Sequence, residues 1–335
     1  MDRDKDFYFQ WHITNQCNQR CLHCYQGDFS SQEDLDWVSL KKVADNILST
    51  VKKWNKLAII NLTGGEPFLR KELFQLLEYL NNQEQVKELA VITNGTLLDE
   101  KSVSRLKAFE KLNEIKISLE GATEESNDAV RGKGTFKKAL SAIEILKPIK
   151  RFETTLMFTL LKRNLNEALK ILDLAQLQGA GGVILERFIP WGRGKMIKEE
   201  VLSKEEWHNL VKRLLQFLEM PFTDEIFSYK AFWVRFKKNG PHLFGAPCVV
   251  AEGGVCIMPN ADVFPCRRFN LRIGNLLTES LDKIYNGSSV LTDSKDKDKL
   301  KGKCRNCAIK SCKGCRALSF AMTGDYLAED TQCFK

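Results

Sequence analysis

Phe7-Tyr-Phe-Gln-Trp-His-Ile-Thr14 runs almost directly into Cys17-Asn-Gln-Arg-Cys21-Leu-His-Cys24-Tyr25, and these two segments decide the fold. The first is rich in aromatic and β-branched residues, which predicts a strand. The second places three cysteines at C-x3-C-x2-C spacing just beyond that strand's C-terminal end. Three thiolates from one loop can converge on a single inorganic centre. Cubane iron–sulfur clusters take four thiolates, so a three-cysteine loop leaves one iron open. The same logic separates closed structural zinc sites from open catalytic ones. A zinc site, or unpaired buried thiols, is the plainer alternative.

The chain beyond repeats one rhythm. A helix is expected from Ser31 to about Trp54, where Leu35, Val38, Leu40, Val43, Ile47 and Val51 recur at helical spacing. Leu57–Leu62 is a short apolar run of the kind buried in parallel sheets, and a helix follows over 71–81. Strands at 89–92, 114–119, 154–159 and 183–189 alternate with helices at 99–110, 136–146, 165–178 and 203–217. Ser203 is the N-cap of the last helix, and a loop runs through Arg131-Gly132. Six strand–helix units in a row predict an α/β fold with a parallel sheet. Too few for a closed eight-unit barrel, they suit a partial (β/α)6 TIM-like barrel over residues 7–220. Residues 221–246 read as a connector packed on the barrel, because Phe227, Tyr229, Phe232, Trp233 and Phe236 need burial. From Pro247 onward cysteine, glycine and charged residues mark a second domain over 247–335.

Composition narrows the class. Hydrophobic content of 43% and charged content of 28% are ordinary for a globular protein of 335 residues. The net charge of +8 is spread over scattered pairs such as Lys52-Lys53 and Lys237-Lys238, which reads as solvated surface and excludes a nucleic-acid arm. No apolar run approaches membrane-spanning length, and the charged start Met1–Asp6 lacks a signal-peptide core. The expectation is a cytoplasmic protein. All 11 cysteines fall into two groups, with none between Cys24 and Cys248. Disulfide proteins spread their cysteines through small loop-rich domains; a long cysteine-free middle suits metal binding in a reducing compartment. Three cysteines serve one open cluster, and the eight from Cys248 onward serve two fully ligated ones.

The unusual residues fall after the expected strands, where barrels of this kind carry their sites. Gly64-Gly65-Glu66-Pro67 follows the second strand; a GG pair there is by itself a tight turn. Asn94-Gly95 follows the third and is also a turn signal. Ser118 and Glu120 end the fourth. Arg131 is a guanidinium suited to bidentate carboxylate capture, or a solvated loop residue. Phe188 opens the run to Trp191-Gly192-Arg193-Gly194, in which Trp191 stacks on a ring or joins the core. In the tail, Cys248-x7-Cys256-x9-Cys266 precedes Cys304-x2-Cys307-x4-Cys312-x2-Cys315, and Cys333 nearly closes the chain. On spacing alone the C-x2-C pairs also fit a structural zinc. His23, inside the first cysteine loop, is a hydrogen-bonding group near the site or an exposed loop side chain.

Taken together, the C-x3-C-x2-C loop followed by Tyr25, the Gly64-Gly65-Glu66 element, Ser118-Leu119-Glu120-Gly121 and the tail cysteines resemble the radical SAM superfamily with a C-terminal SPASM domain. The resemblance covers nearly the whole chain. It implies that Cys17, Cys21 and Cys24 hold a [4Fe–4S] cluster whose open iron chelates S-adenosylmethionine. It further implies cofactor contacts from Tyr25, Gly64, Gly65, Glu66, Asn94, Ser118, Glu120, Arg131 and Phe188. Glu66 would receive the methionine ammonium, Arg131 the carboxylate, and Ser118 and Asn94 the ribose. Glu120 departs from the family's usual Asp. Two auxiliary [4Fe–4S] clusters are implied, one on Cys248, Cys256, Cys266 and Cys315, the other on Cys304, Cys307, Cys312 and Cys333. The tail spacing is slightly shorter than the family's common form.

The implied chemistry is reductive cleavage of S-adenosylmethionine to a 5′-deoxyadenosyl radical that abstracts a substrate hydrogen atom. The sequence singles out no catalytic acid or base. With every tail cysteine a ligand, the auxiliary clusters are expected to carry electrons. Peptide or protein maturation is the leading reading. The C-x2-C-R-A tail and the F-I-P-x-G-R-G loop also resemble members that process haem-type tetrapyrroles. Only 16 residues precede Cys17, too few for an attached leader-peptide-binding domain, so recognition through a separate leader-peptide-binding protein is compatible. A reductase, ferredoxin or flavodoxin is implied as electron donor, with no nucleic-acid or membrane partner. The rival from another class is an iron–sulfur electron carrier or zinc-stabilised binding module without catalysis.

Overall fold

Phe7, Phe9, Trp11 and Ile13 alternate with Tyr8, Gln10 and His12, and that period of two sets the first strand, β1 (Asp6–His12). The first set is wholly buried with Leu40, Val43, Ile47 and Val51 of helix α1 (Trp37–Lys53). In this computed structural model, which describes residues 4–335, the same unit recurs five more times. The elements are β2 (Leu57–Thr63), α2 (Leu73–Asn81), β3 (Val86–Thr93), α3 (Glu100–Leu106), β4 (Leu112–Ser118), α4 (Glu124–Arg131) and α5 (Thr135–Leu146). They continue with β5 (Glu153–Leu160), α6 (Lys170–Gln178), β6 (Gly182–Arg187) and α7 (Lys204–Phe217). Strands β1 to β6 lie side by side in sequence order, each parallel to the next. This is the expected partial barrel.

Local chemistry explains most boundaries. Ser203 accepts from the Glu206 N–H while Glu206 reaches back to the Ser203 N–H, a reciprocal cap that starts α7. Two expectations need correction. Helix α1 begins at Trp37, not Ser31, because Asp36 caps it and the preceding stretch is pinned elsewhere. The Asp34 carboxylate accepts from Thr14, the Asn15 N–H and Arg70, which ties this stretch to the end of β1. The loop expected through Arg131 is mostly α4, started by reciprocal capping between Thr123 and Ser126. Thr123-Glu-Glu-Ser126, with two acids in the first turn, is a legible start signal.

The sheet does not stop at the barrel. Residues read as a packed connector form the antiparallel hairpin β7 (Tyr229–Lys237) and β8 (Gly240–Pro247), and β7 pairs with β6. The Asn239-Gly240 turn is its sequence signal. At the other end β9 (Gly254–Ile257) runs parallel to β1, followed by β10 (Asp262–Phe264) and β11 (Gly274–Asn275). The result is one sheet of eleven strands, ordered β11-β10-β9-β1-β2-β3-β4-β5-β6-β7-β8. The tail then forms α8 (Leu281–Gly287), α9 (Ser289–Lys295) and α10 (Arg316–Thr323). Helix α8 docks on α1, where Trp54 and Lys53 both reach Asp282 at 2.6 and 2.7 Å. Asn46 of α1 donates to the Leu276 and Glu279 carbonyls and accepts from the Leu281 N–H. No described helix is long and apolar enough to cross a membrane.

Candidate functional site

The cysteine loop leaves the end of β1 and is clasped from two sides. The Gly65 N–H donates to the Thr14 carbonyl at 2.8 Å and the Glu66 N–H to the Gln16 carbonyl at 2.7 Å. A Cβ on Gly65 would meet the Gln16 carbonyl oxygen at 2.1 Å, so glycine is required by the approach of the cysteine loop itself. From the other side the Gly194 N–H donates to the Cys24 carbonyl at 2.9 Å and the Arg193 N–H to the Gln26 carbonyl at 3.0 Å. Gly192, at φ +57°, packs so tightly that a Cβ would stand 2.3 Å from the Tyr25 carbonyl oxygen. Burial raises all three thiol pKa values, that of Cys24 to about 11. Metal binding at this loop must therefore displace protons.

Cys17, Cys21, Cys24, Tyr25, Gly64, Gly65, Asn94, Ser118, Glu120, Arg131 and Phe188 line one cleft at the C-terminal ends of the strands. Glu66 alone of the sequence-read residues lies behind its wall. Its carboxylate, fully buried, accepts from the Thr93 hydroxyl at 2.7 Å and from the N–H groups of Asn94 and Phe68 at 2.8 and 3.2 Å. Burial still pushes its pKa up. The Asn94 side chain is also occupied: it accepts from Thr96 in a local turn and donates to Asn18 at 2.9 Å. Arg131 is buried, donating to Glu120 at 2.6 Å and to Gln19 at 3.2 Å. His23 is partly buried rather than exposed, its side chain 12% accessible, with Nε2 3.4 Å from Glu120. Trp191 stacks on Phe320 at 6.2 Å between ring centroids. Among the described residues, Gln19 Nε2 and His23 Nδ1 are buried without a hydrogen-bond partner, which suits a polar ligand in this cleft.

Sequence reasoning missed the cleft's charged floor. Glu186, the next-to-last residue of β6, meets both Arg267 and Arg268, the two residues after Cys266. Burial opposes its ionisation, but Arg267, Arg268 and Lys116 outweigh it and hold the carboxylate below its ordinary range. The Arg-Arg pair beside a candidate ligand cysteine was the available signal. Nearby, His12 is wholly buried, 5.5 Å between ring centroids from Tyr25, and neither ring nitrogen has a partner among the described residues. Burial first, then the Arg267 charge, lowers its pKa to about 3. The unfolded chain, with a histidine near 6.5, takes up the proton first. His12 therefore withdraws stability as pH falls below about 6.5. Acidification from pH 6.5 to 5 should cost roughly 1.5 kcal/mol through this group. Urea unfolding at the two pH values checks it, and a His12→Asn chain showing the same loss would refute it.

In the tail, Cys304, Cys307, Cys312 and Cys333 line a second cavity of about 380 Å³. The charges of Cys266 and Cys315 act on the Cys248 thiol, and that of Cys266 on Cys256 and Cys315, so these four also share one neighbourhood. Burial raises Cys248 to about 12. No three His, Cys, Asp or Glu side chains among the described residues stand close enough to hold a single metal ion. Four thiol donors around one cavity are the ligand set of a four-iron cluster.

Comparison with known proteins agrees. The Radical SAM superfamily signature matches residues 11–175, and that of an iron–sulfur cluster-binding SPASM domain matches 248–308. The AdoMet-dependent heme synthase of Methanosarcina barkeri is 29% identical, over 96% of this chain and 95% of that protein. Mycofactocin maturase MftC of Mycobacterium ulcerans is 27% identical, over 95% of this chain and 85% of that protein. The structure of native anSMEcpe with bound AdoMet and Cp18Cys peptide shares the fold at TM-score 0.74 and 18% identity, covering 98% of this chain and 94% of that one. The chain belongs to the radical SAM superfamily, as a SPASM-type enzyme whose cofactors are S-adenosylmethionine and [4Fe–4S] clusters.

Proposed function

We propose that Cys17, Cys21 and Cys24 hold the cluster that engages S-adenosylmethionine, and that the cofactor fills the cleft beside Tyr25, Gly64, Gly65, Ser118, Glu120, Arg131 and Phe188. The two tail quartets hold the auxiliary clusters. When bound, the cluster and cofactor supply one-electron cleavage and hydrogen-atom abstraction. The chain's own part is to orient the reactants and keep water out. Glu66 and Asn94 act by fixing the loop walls through the bonds described above.

For the substrate we infer a peptide or protein segment. The carrying observation is the charged floor: Glu186 with Arg267 and Arg268 suits amides and polar side chains, whereas a broad aromatic disc asks for apolar walls. The likeness to MftC supports the same reading. A second reading, a haem-type tetrapyrrole, is favoured by the match to heme synthase, which runs through nearly the full length of both chains; tetrapyrrole carboxylates would meet the two arginines. A ferredoxin or flavodoxin in the cytoplasm is the proposed electron donor, and a separate leader-peptide-binding protein fits the peptide reading. Anaerobic incubation with dithionite and S-adenosylmethionine should yield 5′-deoxyadenosine. Yield that rises with a mass change on a peptide encoded beside the gene supports the first reading. A response only to an iron-bearing tetrapyrrole overturns it in favour of the second.

A further inference from the structure

The cavity lined by Cys304, Cys307, Cys312 and Cys333 is ringed by cations that the chemistry above leaves unused. Lys230, on β7 and largely buried, donates to Cys312 Sγ at 3.3 Å and to the Phe227 carbonyl at 2.9 Å. Arg316, at the start of α10 and 2% exposed, points Nη2 at Cys304 Sγ at 3.6 Å while Nη1 is fixed by the Tyr326 and Ala328 carbonyls. Arg187 donates to Asp330 at 2.8 Å, and Asp330 stands 4.0 Å from Lys230. Lys230 and Arg316 thus each meet a cysteine sulfur, and Arg187 and Lys230 share the buried Asp330 carboxylate. Isolated charge in such a place is costly. Lys303 and Lys335 also line the cavity, and this excess of positive charge suits the negative charge of a four-iron core bound by four thiolates.

We propose that Lys230 and Arg316 tune this second auxiliary cluster to a higher reduction potential, through direct N–H···S contacts and their charge. The proposal rests on the reading that both tail quartets hold clusters. Reduction adds one negative charge to the cluster, and a cation that donates to its sulfur ligand stabilises the reduced form more than the oxidised one. Hydrogen bonds to sulfur and net charge are the levers by which proteins move such potentials. The two residues are positioning residues: they touch the ligands, not the substrate. They come from distant segments, one on the hairpin that extends the barrel sheet and one in the tail. The cluster's electronics are thus tied to docking of the tail against that hairpin.

The test is a potentiometric titration, followed by electron paramagnetic resonance, of the full chain carrying Cys17→Ala, Cys21→Ala and Cys24→Ala. In this background only the auxiliary clusters remain, and two midpoint potentials are expected. Adding Lys230→Met should move one of them to a more negative value and leave the other in place. Lys230→Arg should restore much of the shift. If Lys230→Met loses iron, Lys230→Gln, which keeps a donor without the charge, is read instead and should show the smaller shift of the same sign. Two unmoved potentials, or two that move equally, overturn the proposal. Zinc in the tail, or about four irons in place of about eight before Lys230 is changed, overturns the underlying cluster reading and is a distinct result.

Discussion

Replacing Cys17, Cys21 and Cys24 together by alanine should abolish S-adenosylmethionine cleavage and lower iron from about twelve to about eight per chain. The selectivity follows from how the loop is held. Its main chain is pinned by Gly65, Glu66, Arg193 and Gly194, none of which depends on the thiols. Phe9, Trp11 and Ile13 are buried with Leu40, Val43, Ile47 and Val51 of α1, a core that contains no cysteine of the loop. The barrel should therefore stay folded and the tail should keep its iron. Iron and sulfide analysis of anaerobically purified protein, with a 5′-deoxyadenosine assay, reads both arms. Residual cleavage would place the open iron elsewhere; loss of all iron would make this loop a folding requirement for the tail.

Arg187→Met should cost about 3–5 kcal/mol of stability, the usual price of leaving one member of a buried ion pair alone. Arg187 ends β6, is 5% exposed, and meets Asp330 at 2.8 Å. Asp330 is more than a partner: it also accepts from the N–H groups of Cys315 and Gln332 at 2.8 and 3.1 Å. Burial works against its charge, yet Arg187, Lys230 and these N–H groups prevail and hold its pKa at about 2. Removing Arg187 leaves an ionised carboxylate in the dry seam between barrel and tail. Arg187→Met combined with Asp330→Leu should regain most of the loss, because an apolar pair of similar size replaces a buried ion pair at little cost. Urea midpoints of the two variants decide it. A double variant as unstable as the single one would show that Asp330 serves its backbone donors more than the arginine.

Much of this was legible in the sequence, and the rest failed for identifiable reasons. The barrel strands announce themselves because a parallel strand buried on both faces carries a run such as Leu57–Leu62, and each is followed by a helix-period segment. The cysteine loop and the glycine pair were readable because their chemistry is local. Gly65 carries a second constraint that its own segment does not announce: the Gln16 carbonyl, from a segment far away in the chain, packs against it. The Arg267-Arg268 pair was a signal, but its partner was not legible because Glu186 and Arg267 lie 81 residues apart, and only the fold brings β6 to the residues after Cys266. The β7–β8 hairpin was masked by aromatic residues that read as packing rather than as alternation, although Phe232 and Val234 are buried while Trp233 and Arg235 are less so. The α1 boundary slipped because Asp34 is spent on β1 and not on capping.

The parallel pairing of β9 with β1 also has a consequence for the order of events on the ribosome. Tyr8 is matched with Gly254 and Trp11 with Ile257, so one edge of the first strand waits for almost the last quarter of the chain. At about 5–20 residues per second of synthesis, that wait is roughly 12 to 50 seconds. During it the nascent barrel carries an open strand edge immediately upstream of three free thiols. Such an edge invites pairing with other chains, so a holding chaperone, or translation that does not pause before residue 257, should matter more for yield than anything in the finished core.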